Sequence, residues 1–355
     1  MTLRVGVLGL GVGERHVAGY RLHPGCVVTT LCDRDPEILA AVAARNPGLR
    51  RTTRPEEVLD DPEVDVVSIA TWDDSHAEQI LHAINNGKHV FAEKPLCLHA
   101  HELESIRAAL ARRPGVRLSS NLVLRTCPRF QDLRQRIRNG ELGRLYYMEA
   151  DYNYGRIHKI TQGWRGSLPY YSVFLGGAVH LVDLLLWMTR ERVVEVTARG
   201  NAIATNETGF RHNDLTVALL TFESGAVAKV AANFACVGPH FHRLLLYGTE
   251  ATFENFPEHG RLTVSRDVVR PPVLLDAPYP GQHKGDLVAA FIASLLGEPR
   301  GAETVAEGEV FAAMAVCLAV EQSSREGRTV TVTKAQPFPC DNAGQRIDSI
   351  HKEHA

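Results

Sequence analysis

Three glycines and one carboxylate stand where a nucleotide could be held. Gly9, Gly11 and Gly13, with Val12 between the last two, fall where the apolar run 3–8 hands over to a helical pattern. Backbone without side chains can approach a pyrophosphate closely there, and the free amides and positive end of the helix would hold its charge. Asp33 ends the next apolar run, twenty residues after Gly13, where a ribose-binding acid is expected. A carboxylate in that place accepts from both ribose hydroxyls and repels a 2′-phosphate, which favours NAD. Arg34 beside it could pair with such a phosphate or stack on adenine, which keeps NADP open. Both features have plainer readings. Asp33 could cap a helix ahead of Pro36, and the glycines could form an ordinary tight turn, because the spacing departs from G-x-G-x-x-G and position 14 is Glu14.

Two further segments, Thr71-Trp72-Asp73-Asp74-Ser75-His76 and Glu93-Lys94-Pro95, each follow an apolar run. Ligands of doubly wound sheets sit outside the carboxyl ends of strands, which places Thr71, Trp72, His76, Glu93, Lys94 and Pro95 along a bound cofactor. Asp74 or Ser75 could instead cap the following helix, and Glu93-Lys94 could be a solvated loop. His180 and Asp183 are three apart in an apolar stretch. On a helix they share a face, where the carboxylate could orient the imidazole. Oxidation of a secondary alcohol needs a base for the hydroxyl proton, and a histidine titrating near neutrality suits that task. A lysine ammonium such as Lys94 would stabilise the developing alkoxide. The competing reading of the pair is a histidine satisfied within an amphipathic helix and an acid on its rim.

Two domains are the expectation for 355 residues. Up to residue 122, candidate strands at 3–8, 27–32, 64–70, 89–92 and 116–119 alternate with helical patterns at 36–45, 76–86 and 99–112. That alternation predicts a parallel sheet wrapped by helices, a doubly wound dinucleotide-binding domain over 1–122. Residues 123–338 read as a second domain in which strands dominate from 193 to 264 and pair antiparallel, with helices at its edges. Hairpins are expected from 214–222 with 226–234 and from 244–247 with 252–255, helices at 177–188, 286–296 and 305–325. A polar tail follows over 339–355.

Composition narrows the class. The 39 basic and 41 acidic side chains leave a formal charge of -2, so nucleic acid and acidic membrane surfaces are not expected partners. The arginine-dense stretch 129–144 alternates its charges with Leu133 and Ile137 and reads as a solvated helix face. Seven cysteines without a C-x-x-C pair favour a reducing compartment. No apolar stretch has membrane-spanning length and no secretory pattern opens the chain, so a cytoplasmic protein is expected. No metal is expected: the cysteines are scattered, and His240 with His242, alternating on a strand, are two ligands without a third.

Together these motifs resemble the Gfo/Idh/MocA family of NAD(P)-dependent sugar and cyclitol oxidoreductases, which includes glucose-fructose oxidoreductase and inositol dehydrogenase. The resemblance spans nearly the whole chain. It rests on Gly9-Leu-Gly11, Asp33, the 71–76 segment, Glu93-Lys94-Pro95, Arg125-Thr-Cys-Pro128, Gly176-Gly177-Ala-Val-His180-Leu-Val-Asp183 and Gly248-Thr-Glu. It implies a crevice between the domains holding the nicotinamide and a polyol, with Lys94 as the substrate-orienting cation and His180 as the proton acceptor. It further implies a cis Lys94-Pro95 peptide, a second domain of α/β type built on a large open, mostly antiparallel sheet, and a homodimer or homotetramer formed through that sheet. One departure stands out: many members carry an acid four residues before the histidine, where this chain has Gly176. Asp183, a nearby tyrosine or the substrate could supply the missing group, or His180 could work with Lys94 alone.

Substrate contacts are expected from the polar-aromatic stretch holding Tyr152, Tyr154, His158, Trp164 and Arg165, where aromatic faces can meet sugar C–H surfaces. Arg125, after the sixth strand, could bind an anionic group or a hydroxyl, or pair with an acid. The expected activity is hydride transfer between NAD and a ring secondary alcohol or ketone of a sugar, sugar derivative or cyclitol. An NAD-assisted glycoside-cleaving enzyme and a catalytically silent NAD-binding sensor remain as alternatives.

Overall fold

The computed structural model describes residues 2–281, 283, 285–299, 301 and 303–332; Cys340 and the tail 339–355 lie outside them. The first sheet consists of β1 (Leu3–Leu8), β2 (Cys26–Cys32), β3 (Arg50–Thr52), β4 (Val66–Ile69), β5 (His89–Ala92) and β6 (Leu118–Ser120). All run parallel, in the order β3-β2-β1-β4-β5-β6. Helices cover both faces, which is why β4 is buried at all four positions and β1 at five of six. The strand order reverses between β1 and β4, and the crevice of a doubly wound sheet opens at such a point. Gly9 sits there with φ 81°, and a Cβ on it would lie 2.4 Å from the Ala70 carbonyl oxygen at the end of β4. Only glycine lets the two strand ends come so close. Edge strand β3 has no counterpart among the sequence-predicted strands. Its two arginines are exposed, so no apolar run marks it.

The second sheet comprises β7 (Leu145–Asn153), β8 (Val193–Asn201), β9 (Leu215–Phe222), β10 (Val227–Asn233), β11 (Phe241–Gly248), β12 (Thr252–Asn255), β13 (Gly260–Thr263), β14 (Val273–Leu275) and β15 (Val330–Thr331). Its order is β14-β13-β12-β11-β7-β10-β9-β8-β15. Every pairing is antiparallel except β7 with β10. Both expected hairpins, β9–β10 and β11–β12, are present. One face is covered by the helices Val179–Thr189 and Glu307–Glu326; the other carries a charged ladder in which Lys229 lies 2.6 Å from Asp151 and Arg243 2.5 Å from Glu149.

The helix Val179–Thr189 buries nine of its eleven residues, so it has no solvent rim, and an acid on it must find a partner inside the protein. It is entered through a π-helical turn, Phe174–Ala178, in place of the regular start expected at Gly177. The wider turn sets Gly176 and His180 at the cavity described below. The C-terminal helices reach back to the first sheet. Asp286–Leu295 lies against Leu10–Tyr20 at Gly19, whose Cβ would stand 2.4 Å from the Gly285 carbonyl oxygen, and Ser119 in β6 donates to the Val305 carbonyl at 2.9 Å.

Candidate active site

At the switch point lies a groove of about 430 Å³ lined by Gly9, Gly11, Val12, Asp33, Arg34, Thr71 and Trp72, with Trp164 and Arg165 on its far side. Open space lies beside the Gly11 Cα, whereas a Cβ on Gly13 would meet Val7 at 2.9 Å. Gly11 therefore faces the groove, and Gly13 lets the helix Leu10–Tyr20 sit down on β1. The Asp33 carboxylate accepts from the Leu10 amide at 2.7 Å and the Asp35 amide at 2.9 Å. The cap of the helix Pro36–Arg45 is Asp35, which accepts from the Glu37 and Ile38 amides. Asp33 is thus held at the groove wall with acceptor capacity to spare. Arg34 lies over the Trp72 ring, 3.2 Å from its centroid, and Trp72 stacks on Trp164 at 5.3 Å. These features fit a dinucleotide: a helix end with amides for phosphate, a carboxylate for ribose and flat cationic and aromatic faces for a base.

His76 is fully buried and does not line the groove. Its ring nitrogens reach the Pro95 carbonyl at 2.7 Å and the Thr71 carbonyl at 3.2 Å, tying together the segments after β4 and β5. The Lys94-Pro95 peptide is cis. Glu93 is held from behind, with Asn121 donating to Oε1 at 2.7 Å and His16 beside it at 3.3 Å.

Next to the groove is a smaller cavity of about 240 Å³, in which Lys94 and His180 meet. Lys94 Nζ donates to the Gly176 carbonyl at 3.0 Å, within the π-turn that leads into the His180 helix. Strand alternation builds the opposite wall. Tyr152 on β7 is in register with His242 on β11 and Ala232 on β10, and Tyr154 and His240 continue the same faces. Tyr152 lies roughly parallel to the His180 ring at 6.3 Å. His242 is buried, and its amide donates to the Tyr279 hydroxyl at 2.8 Å. Burial, reinforced by His240, lowers its pKa to about 3, so its imidazole is neutral under any working condition.

Tyr171 fills the space over Gly176. A Cβ at residue 176 would stand 2.4 Å from the tyrosine hydroxyl, and the Arg165 guanidinium lies 6.0 Å from the centre of the same ring. Burial pushes the Tyr171 pKa well above the usual phenol range, so the hydroxyl keeps its proton. Arg165 lines both the groove and the cavity.

Arg125 and Asp183 are brought to each other. Nε–Oδ2 is 2.9 Å and Nη2–Oδ1 2.6 Å, with both side chains 1% exposed. Glu309 lies 3.0 Å from the same guanidinium. Burial alone would lower the pKa of Arg125, but Asp183 first and Glu309 second more than reverse it. Neither Arg125 nor Asp183 lines the Lys94–His180 cavity, Trp164 belongs to the groove, and His158 is exposed and lines neither. Arg156, Tyr171, Asn121 and Phe234 line the cavity without having been singled out from sequence. His240 and His242 do so as well, and their alternation, read above only for a metal, was the signal that both face inward.

A doubly wound sheet with a glycine-lined groove at its switch point defines a dinucleotide-binding protein. Residues 3–122 match the oxidoreductase family with an NAD-binding Rossmann fold, and residues 130–254 match the GFO/IDH/MocA C-terminal domain. The chain belongs to the GFO/IDH/MocA family and is an NAD-dependent oxidoreductase. Inositol 2-dehydrogenase 2 of Saccharopolyspora erythraea is 26% identical, over 94% of this chain and 96% of its own. The scyllo-inositol 2-dehydrogenase (NAD(+)) of Bacillus subtilis is 29% identical, over 73% of this chain and 74% of its own. Myo-inositol 2-dehydrogenase from Lactobacillus plantarum shares the fold with a TM-score of 0.79 at 21% identity, covering 94% of this chain and 100% of that one. Among the described residues, no helix is long and apolar enough to cross a membrane.

Proposed function

We propose that the chain interconverts a ring secondary alcohol and its ketone on a sugar, sugar derivative or cyclitol, with NAD as the hydride partner. The observation that carries this reading is the meeting of Lys94 and His180 in one cavity beside the dinucleotide groove. The inositol dehydrogenases among its relatives support the substrate class. Gly9, Gly11 and Val12 would seat the pyrophosphate and Asp33 the ribose, with the Arg34–Trp72 stack beside it. Nicotinamide supplies the hydride acceptor when bound. His180 takes the hydroxyl proton and Lys94 holds the oxygen as its charge grows, with the Tyr152 ring lying roughly parallel to the imidazole at 6.3 Å.

Tyr171 supplies a third polar group in the place a side chain at Gly176 would have occupied. As a phenol that stays protonated it can donate a hydrogen bond to the substrate oxygen and does not act as a base. Tyr171→Phe should lower kcat about tenfold, with KM changed less, because one hydrogen bond to a charge-developing oxygen is lost. An equal change in KM alone would make Tyr171 a ground-state contact.

The reading is tested by incubating the protein with NAD and a panel of inositols, hexoses and anhydro-sugars, following NADH, and by running keto-sugars with NADH. Turnover in either direction supports it. No turnover with any of them, or aglycone released from a glycoside without net NADH, overturns it.

A further inference from the structure

The walls of the Lys94–His180 cavity carry an imbalance of charge. Lys94, Arg156 and Arg165 line it, against one carboxylate among the described lining residues, Glu93. That carboxylate already accepts from Asn121 and stands beside His16. Asp73, the other acid near Lys94 and Arg165, is buried outside the lining, and desolvation raises its pKa. The chain as a whole is nearly neutral, at -2, so the excess belongs to the site. A neutral polyol entering this space would strip water from the cations and return only dipoles. An anion would return charge-assisted hydrogen bonds.

The three cations have different calls on them. Lys94 is needed at the reacting oxygen, and Arg165 also lines the dinucleotide groove, where it can serve the cofactor. Arg156 lines the cavity and not the groove. It lies three residues past β7 and is exposed, and its guanidinium stands 5.2 Å over the Tyr154 ring, which holds it at the wall while leaving its donors available. We propose that the substrate is a monosaccharide-sized polyol bearing an anionic group, a carboxylate or a phosphate, which Arg156 receives while the reacting hydroxyl lies between Lys94 and His180. The cavity volume of about 240 Å³ suits one sugar ring, being somewhat below the roughly 300–1,000 Å³ of pockets for drug-sized ligands. This inference rests on the hydride-transfer reading for its second half only; the binding of an anion stands apart from turnover.

The test compares matched substrates with NAD: D-glucose against D-glucuronate and D-glucose 6-phosphate, and D-galactose against D-galacturonate and D-galactose 6-phosphate. At least one acid should exceed its neutral partner in kcat/KM by about 10- to 100-fold, the range of one charge-assisted contact, with most of the difference in KM. Arg156→Gln should shrink that ratio about tenfold, and Arg156→Lys should shrink it less. Which acid is preferred separates carboxylate from phosphate. Neutral sugars used as well as their acids, or a ratio untouched by Arg156→Gln, overturns the proposal. If nothing turns over, the hydride-transfer reading fails by itself, and the anion site is read by quenching of tryptophan fluorescence in the presence of NADH. Saturable binding of glucuronate or glucose 6-phosphate, weakened by Arg156→Gln, then supports it, and no saturable binding of either overturns it.

Discussion

Lys94→Ala and His180→Asn should each lower kcat by about two to four powers of ten, while NADH still binds within a few-fold of the unaltered protein. The separation follows from position. Both side chains line the smaller cavity, and neither is among the residues lining the dinucleotide groove. Lys94 Nζ is held by a backbone carbonyl of the turn that leads into the His180 helix, so a hydroxyl brought to one is brought to the other. The two should therefore act as a unit, and the double variant should be little worse than the worse single one. Steady-state kinetics with an identified substrate, together with NADH fluorescence titration, reads both quantities. A kcat within tenfold of the unaltered protein for either variant would remove that residue from the chemistry. A loss of NADH affinity in proportion to kcat would place it on the cofactor instead.

Much of the fold was legible because its signals are local. Strands alternate with helices up to residue 122, and Gly225 marks the β9–β10 turn with φ 89°. Asp33 could be placed by counting from the glycines, since the first β-α-β unit has a fixed size. What counting could not settle was which of two neighbouring acids caps the next helix, and the structure gives that task to Asp35. The cavity was harder to read. Its walls come from β7, β11, the segment at Tyr171 and the end of β5, so their meeting depends on the order of strands in the second sheet, including its one parallel pair. Tyr171 and Gly176 are five residues apart in sequence, yet their contact requires the π-turn, and no spacing rule announces one. Arg125 and Asp183 illustrate the opposite case. Each has the residue type of a site group, and only the buried fork between them shows where their charges are used.

Asp183→Asn is where that placement becomes measurable. The carboxylate sits on a helix without a solvent face, 1% exposed, and meets the Arg125 guanidinium through two hydrogen bonds. Asp183→Asn leaves the buried guanidinium only the half-exposed Glu309 and the Thr304 carbonyl as partners, at a cost of about 3 kcal/mol, the low end for a broken buried pair. For a chain of this size, that lowers Tm by on the order of 10 °C. The paired variant Arg125→Met with Asp183→Leu should recover most of the loss, because no orphaned charge remains. Glu309, already 42% exposed, can turn to water. Activity reports on the other half of the question. Asp183 lies one turn beyond His180 on the same helix, and Arg125 joins that helix to the end of β6 and to the Thr304 carbonyl at 3.3 Å. If Asp183 positions His180 through this frame, kcat falls while the acid limb of the pH–rate profile stays where it was, and the paired variant regains activity along with stability. If Asp183, on the His180 helix and paired with Arg125, instead passes charge or a proton to His180, Asp183→Asn moves the acid limb, and the paired variant regains stability but stays inactive. Thermal unfolding and a pH–rate profile on the same three proteins therefore separate a group that holds the base in place from one that takes part in the proton transfer.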